Sequence, residues 1–242
     1  MKKINDLIEN LFKVRIKKTF SEKNNGFTYK NVFPASSYSP WFDDDAFMST
    51  YEIIKDYTLV DIYRCYEIFT LIKQIEYIDG DVVEVGTYRG GTSGIISSVL
   101  NGFKLSKDFY AIDTFEGVVK VNHNDPSYKG GEHKASINEF KELFKKLNIN
   151  LPTILTGIYP DDFPDFNIEK VCFLHIDVDI YQSAKDIYES LEKKVVSGGI
   201  ILFDDYGFKG TSGVAKFCND IKYNNDYKFI HNLNGHAIFI KN

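Results

Sequence analysis

The strongest constraint on the fold is an alternation that begins at residue 81, where short unbroken apolar runs are separated by segments with helical spacing. The runs are DVVEV (81–85), FYAI (109–112), TIL (153–155), VCFLHI (171–176) and GIILF (199–203), with helices expected at 92–101, 136–147, 181–193 and 211–222. Strands that are apolar along their whole length are buried on both faces, so the pattern predicts an α/β chain with a parallel sheet covered by helices on either side. At the end, YKFIHN and GHAIFIK flank Leu233-Asn234. A connection this short cannot make a parallel crossover, so it predicts an antiparallel hairpin.

Before the sheet, Asp43, Asp44 and Asp45 suit a helix N-terminus, and two helices are expected at about 44–56 and 59–77, closed by Asp79-Gly80. Residues 19–42 show neither period and contain Pro34 and Pro40, which predicts an irregular arm. Ile4, Leu7, Ile8, Leu11 and Phe12 form one helical stripe, and residues 1–18 hold six Lys/Arg against two acids. That helix reads as docking on its own domain or on a second subunit, hence an expected homo-oligomer, with membrane-surface binding as the alternative. The expected organisation is one domain, with residues 1–78 as a helical arm and cap and residues 79–242 as the α/β core.

The composition, 43% hydrophobic and 26% charged over 242 residues, is that of a globular protein, and no apolar run is long enough to cross a bilayer. The opening MKKINDLIENLFKVRIKK interrupts its apolar residues too often for a secretory signal, so a cytoplasmic location is expected. A net charge of −5 argues against non-specific nucleic-acid binding. Cys65, Cys172 and Cys218 lack the short spacings of a metal site and read as reduced, buried thiols.

Ligands of an open parallel sheet bind beyond the carboxyl ends of its strands, and four polar clusters fall there. Glu84-Val85-Gly86-Thr87-Tyr88-Arg89-Gly90-Gly91-Thr92-Ser93 leaves the first strand and enters a helix, whose free N–H groups can meet an anion. Tyr88 stands where a dinucleotide fingerprint needs glycine, and Thr92 where a P-loop needs lysine, so neither motif is met. Asp113, in AIDTFEG, can accept two hydrogen bonds from a ribose diol or simply cap a turn. HIDVDIYQS (175–183) and FDDYG (203–207) end two further strands. Asp177, Asp204 and Asp205 can therefore converge, and three such anions call for a hard divalent cation, Mg2+, Mn2+ or Ca2+. The competing reading is that some of these acids cap helices, which suits Asp179 better than the Asp204-Asp205 pair.

In this order and spacing, EVGTYRGGTS, AIDTFEG, HIDVDIYQS and FDDYG resemble the macrocin O-methyltransferase family of class I S-adenosylmethionine (SAM)-dependent methyltransferases, over roughly residues 40–240. The resemblance implies a Rossmann-like, seven-stranded, mostly parallel sheet with only the last strand antiparallel, plus an N-terminal helical extension. It also implies transfer of a methyl group from SAM, with Mg2+ (or Mn2+), to a sugar hydroxyl. The acceptor would be a nucleotide-sugar, a surface-polysaccharide precursor or a natural-product glycoside. Carried over by position, Glu84, Gly86, Thr87, Arg89, Gly90, Gly91 and Thr92 would frame the methionine part of SAM. Asp113 would hold the ribose, Thr114 would lie near the adenosine, and Thr58 would stand near the cofactor. Asp177, Asp204 and Asp205 match the metal-binding carboxylates, with Asp177 also beside the cofactor.

The implied reaction is an in-line displacement that needs a base. Related catechol O-methyltransferases place a lysine three residues after the first metal aspartate, where this chain has Ile180. His123 and His133 lie in the polar stretch 117–135, and His133, in GGEHKA, matches the family's histidine. The catalytic role then falls to His133 with Asp177. His175, inside a strand, reads as a buried hydrogen-bonded residue, while His231 and His236 read as having no chemical role. Trp41, Tyr51 and Tyr57 read as core packing. Two rival functions remain: an NAD-dependent nucleotide-sugar oxidoreductase or epimerase, which Tyr88 argues against, and a non-catalytic SAM-binding protein, which has no need of the three acids.

Overall fold

VCFLHI, apolar at all but one position, forms the central strand of a seven-stranded sheet with every residue buried. The computed structural model describes residues 21–30 and 36–242, so the helix expected in residues 1–18 lies outside the described residues. The chain divides into two compact units, residues 1–37 and 38–242.

In the first unit, β1 (Ser21–Asn24) and β2 (Phe27–Lys30) pair antiparallel, with Asn24 opposite Phe27. Asn25 and Gly26 both take positive φ, 48° and 81°, the requirement of a two-residue hairpin turn. This corrects the expectation of an irregular arm for residues 21–30. Asn25-Gly26 is itself a strong local hairpin signal, and both prolines lie outside the hairpin.

The second unit opens with a short 3-10 turn, Pro40–Asp43, followed by α1 (Asp45–Ile54) and α2 (Ile62–Gln74). The Asp44 carboxylate accepts from Phe47 N at 3.0 Å, and Asp61 accepts from Tyr63 N and Arg64 N, so each helix starts on an aspartate cap. Alternation then follows: β3 (Asp81–Val85), α3 (Gly91–Gly102), β4 (Phe109–Asp113), α4 (Ile137–Leu147), β5 (Thr153–Thr156), β6 (Val171–Ile176), α5 (Tyr181–Leu191), β7 (Val195–Phe203), α6 (Ser212–Ile221), β8 (Tyr227–His231) and β9 (Ala237–Lys241).

The strand order is β5-β4-β3-β6-β7-β9-β8, and β9 alone runs antiparallel to its neighbours. Alternate residues of each strand feed two cores. Val82, Ile200, Leu202 and Ile238 face a layer built from α1 to α4, whereas Val83, Ile201, Phe203 and Phe239 face α5 and α6. Strand β7 starts four residues earlier than expected. The strand extends back through Gly198-Gly199 because the ladder shifts register there, with Val171 opposite Val195 and Phe173 opposite Ile200. All three cysteines are free and buried, and no helix among the described residues is long and apolar enough to cross a membrane.

Candidate active site

The carboxyl end of β3 runs into the glycine loop, and the loop's shape is fixed by its neighbours. Gly86 has φ of 89°, and a Cβ there would lie 1.7 Å from the Asp177 carbonyl oxygen, so only glycine lets the loop pass beside β6. A Cβ at Gly91 would meet the Thr58 side chain at 2.5 Å, which brings the segment before α2 against the start of α3. Asp113, ending β4, accepts from Thr87 N at 2.6 Å and Tyr88 N at 2.8 Å through Oδ2, and from Phe115 N at 2.7 Å through Oδ1. Burial raises the Asp113 pKa, and these three amides hold the rise back. The Thr114 hydroxyl accepts from Glu116 N and donates to the Gly117 carbonyl, starting the long connection to α4.

Three carboxylates meet at the ends of β6 and β7. Oxygens of Asp177, Asp204 and Asp205 lie within 4.8 Å of one another, and Asp204 and Asp205 are buried. Burial and mutual repulsion push Asp177 and Asp205 well above the usual carboxylate range. Asp204 behaves oppositely. Burial works against its charge, yet the Arg64 guanidinium and the imidazoles of His175 and His236 hold its pKa below the ordinary value.

The contrast comes from a buried chain of charged groups. Arg64, on α2, bonds Asp204 Oδ2 through Nη1 and Asp61 Oδ2 through Nε at 3.0 Å, and its guanidinium lies 4.4 Å from the Phe208 ring centre. His236 Nε2 is 2.8 Å from Asp204 Oδ1, while its Nδ1 bonds Glu67. His175 Nδ1 is 2.9 Å from Glu84, and its Nε2 is 3.8 Å from Asp204 Oδ1, too far for a hydrogen bond. Burial disfavours the His175 charge, but the flanking carboxylates push its pKa up to about 9. His175 is thus the buried, bonded histidine that the sequence predicts. His236, read from sequence as idle, is instead a partner of a candidate metal ligand.

Asp179 is a second correction. It does not cap α5; that helix receives the Asp125 carboxylate on Tyr181 N at 2.8 Å. Asp179 has φ of 67°, breaking the strand alternation, and accepts the Tyr128 hydroxyl at 2.6 Å while its own amide donates to Asp205 at 2.7 Å. Burial raises its pKa. Tyr128 belongs to the connection 114–136, which also ties down through Lys120 to Asp186 at 2.7 Å and the Ser183 hydroxyl to the Val119 carbonyl at 3.4 Å.

One cavity of about 330 Å³ gathers these parts. Its wall includes Thr58, Gly86, Thr87, Thr92, Asp113 and Thr114 together with Asp177, Asp204, Asp205 and His133. Arg64, Tyr128, Asp179 and Phe208, which the sequence reading did not select as site residues, line it too. Glu84, Arg89, Gly90 and Gly91 do not. Glu84 is fully buried under the loop, bonded to the Ser93 hydroxyl and His175; Arg89 lies over the Tyr88 ring; Gly90 and Gly91 pack on Phe140 and on Tyr57-Thr58. These four shape the loop from behind. His123 is outside the wall, and Trp41, Tyr51 and Tyr57 pack or bond elsewhere in the helical layer. The Arg64–Glu67 pair left one trace in sequence: charged residues three apart beside the apolar stripe of α2.

The family model described as Macrocin-O-methyltransferase (TylF) matches residues 43–241. A demethyldecarbamoylnovobiocin O-methyltransferase of Streptomyces niveus is 26% identical over 165 residues, covering 62% of each chain. The 8-demethyl-8-(2,3-dimethoxy-alpha-L-rhamnosyl)-tetracenomycin-C 4'-O-methyltransferase of Streptomyces olivaceus is 26% identical over 140 residues, covering 53% of this chain and 54% of its own. The matches thus span between half and two thirds of these relatives' length. Among solved structures, the O-methyltransferase NovP superposes with a TM-score of 0.66 at 21% identity, over 76% of this chain and 82% of that one. With the match to residues 43–241 taking in the glycine loop, Asp113 and all three carboxylates, the chain belongs to the macrocin O-methyltransferase family.

Proposed function

We propose that this chain is a SAM-dependent O-methyltransferase that transfers a methyl group to a sugar hydroxyl with the help of a divalent cation, Mg2+ or Mn2+. The observation that carries the reading is that the glycine loop with Asp113 and the Asp177–Asp204–Asp205 cluster open into one cavity. The printed names of the relatives support the same chemistry, since they describe O-methyltransferases and one names a rhamnosyl compound.

The donor set fits such a cation. It consists of carboxylate oxygens alone, which suits Mg2+ or Mn2+ better than zinc, and its mutual repulsion is met on the protein side by the Arg64 guanidinium on Asp204. Bound by Asp177, Asp204 and Asp205, the cation would lower the pKa of an acceptor hydroxyl and fix its oxygen. The chain's own residues supply the rest. Beyond its three amide bonds Asp113 keeps a lone pair on Oδ1 for one ribose hydroxyl. Thr58, Thr87, Thr92 and Thr114 offer hydroxyls along the cofactor end, while Glu84, Arg89, Gly90 and Gly91 hold the loop's shape. Alignment of oxygen, methyl carbon and sulfur is what such a wall contributes to an in-line displacement.

His133 accepts the hydroxyl proton at an imidazole nitrogen, as its position on the cavity wall allows. A second reading assigns that step to Asp179, favoured by its raised pKa and its place on the same wall beside Asp205. The protein works in the cytoplasm, and residues 1–18 mediate homo-oligomerisation. The acceptor is a neutral glycoside, a nucleotide-sugar or a polysaccharide precursor. Incubation with SAM and a panel of these acceptors, followed by mass spectrometry with Mg2+ or with EDTA, tests the reading. A methylated sugar formed only with Mg2+ supports it; equal product in EDTA removes the cation, and no methylated product from any acceptor class overturns the sugar-methylation reading.

A further inference from the structure

We infer that His236 and Glu67, together with Arg64, form a clamp that orients Asp204 as a cation ligand, so that helix α2 acts as a positioning element of the metal site. The inference rests on the proposed binding of a divalent cation by Asp177, Asp204 and Asp205. Arg64 and Glu67 lie three residues apart on α2, on adjacent turns of one side. Arg64 Nη1 takes Asp204 Oδ2 directly, and Asp61 fixes the guanidinium by its Nε. Glu67 reaches the other oxygen through an intermediary: it bonds His236 Nδ1, and His236 Nε2 lies 2.8 Å from Asp204 Oδ1. Side-chain amides of Asn232 and Asn234, in the β8–β9 turn, donate to Glu67 and hold it in place.

Each oxygen of Asp204 thereby has one hydrogen-bond partner on the protein, with His175 Nε2 a further 3.8 Å from Oδ1, and keeps a second lone pair whose direction the clamp sets. His236 is fully buried and absent from the cavity wall, so it acts through Asp204 rather than on substrate. An imidazole that holds a ligating carboxylate from behind and is itself held by a second carboxylate is an outer-shell arrangement whose loss typically weakens metal binding about 10–100-fold.

The experiment is a titration of the full chain with Mn2+, read as free Mn2+ by electron paramagnetic resonance, for the wild type and for His236→Ala, His236→Gln and Glu67→Gln. SAM affinity is measured in parallel by calorimetry in EDTA. The expected result is a Mn2+ Kd raised about 10–100-fold in His236→Ala, with SAM affinity within about twofold of wild type. His236→Gln, whose amide N–H can still serve Asp204, recovers part of the loss, and Glu67→Gln loses a smaller factor than His236→Ala. Wild-type Mn2+ affinity in both His236→Ala and Glu67→Gln overturns the clamp alone. Mn2+ and SAM affinities that fall in proportion also overturn it, because general loosening then explains both. Should His236→Ala not fold, the two conservative variants decide by the same criteria. A wild type that binds no Mn2+ overturns the cation reading and the clamp with it.

Discussion

Asp204 and Asp205 are neighbours in sequence, yet their partners differ so much that loss of either charge should act in opposite ways. Asp204 is ion-paired with Arg64 and hydrogen-bonded to His236, all three buried, so Asp204→Ala leaves a guanidinium and an imidazole without their partner. Removing one member of a buried pair costs about 3–5 kcal/mol. For a chain of this size, each kcal/mol moves Tm by about 2–4 °C, so the expected fall is about 6–20 °C. Asp205 differs. Burial and its neighbours Asp179 and Asp204 disfavour its charge, and its Oδ2 accepts only a backbone amide, which an Asn side-chain oxygen can also do. Asp205→Asn should therefore melt in EDTA within about 2 °C of wild type or above it, since surplus repulsion is removed and no partner is stranded. The assay is a circular-dichroism melt of both variants in EDTA and again with excess Mg2+. Ligand binding to the folded state stabilises by mass action, so wild type gains Tm with Mg2+ and both variants lose that gain. Equal destabilisation of the two variants in EDTA would refute the assignment of Asp204 to a structural ion pair and Asp205 to a site held open for a cation.

His175, with its pKa raised to about 9, binds its proton more tightly in the folded protein than in the unfolded chain, so its contribution of about 3 kcal/mol is full below pH 6.5 and is lost as pH rises through about 9. Melts in EDTA should show Tm falling between pH 6.5 and 9, and His175→Gln should flatten that slope; an unchanged slope contradicts the buried charge. For the proton acceptor, single-turnover rates of His133→Ala and Asp179→Asn with saturating SAM and acceptor separate the two readings: the true base loses about 10²–10⁴-fold, and the other residue far less. Gly86→Ala puts a Cβ against the Asp177 carbonyl and forces a positive φ, so calorimetry should find SAM binding lost or weakened at least tenfold; retained affinity contradicts the fit of the loop against β6.

Much of the fold was legible because strands buried on both faces carry their own signature. VCFLHI and DVVEV emerge with the bounds that their apolar runs predict, and the short Leu233-Asn234 link required β9 to run against β8. Where backbone conformation departs from the simple period, the letters mislead. Strand β7 runs on past the expected start at Gly199, back through a register shift, and Asp179 takes a left-handed backbone instead of capping α5. The three metal-type aspartates were visible because each follows a strand. Arg64, Glu67 and His236 were not, since the packing of α2 brings the first two, and the insertion of β9 beside β7 brings His236, to the end of β7. Local patterns cannot encode such a meeting.

In the proposed function, one cavity serves SAM at the glycine loop and a divalent cation at the three aspartates. Calorimetric titration of the chain with SAM and, separately, with NAD, each with Mg2+ and with EDTA, tests it most directly. The account predicts SAM binding in both buffers, no heat from NAD, and a separate Mg2+ isotherm that disappears in Asp205→Asn. NAD binding without SAM binding, or an Mg2+ isotherm unchanged in Asp205→Asn, would contradict it.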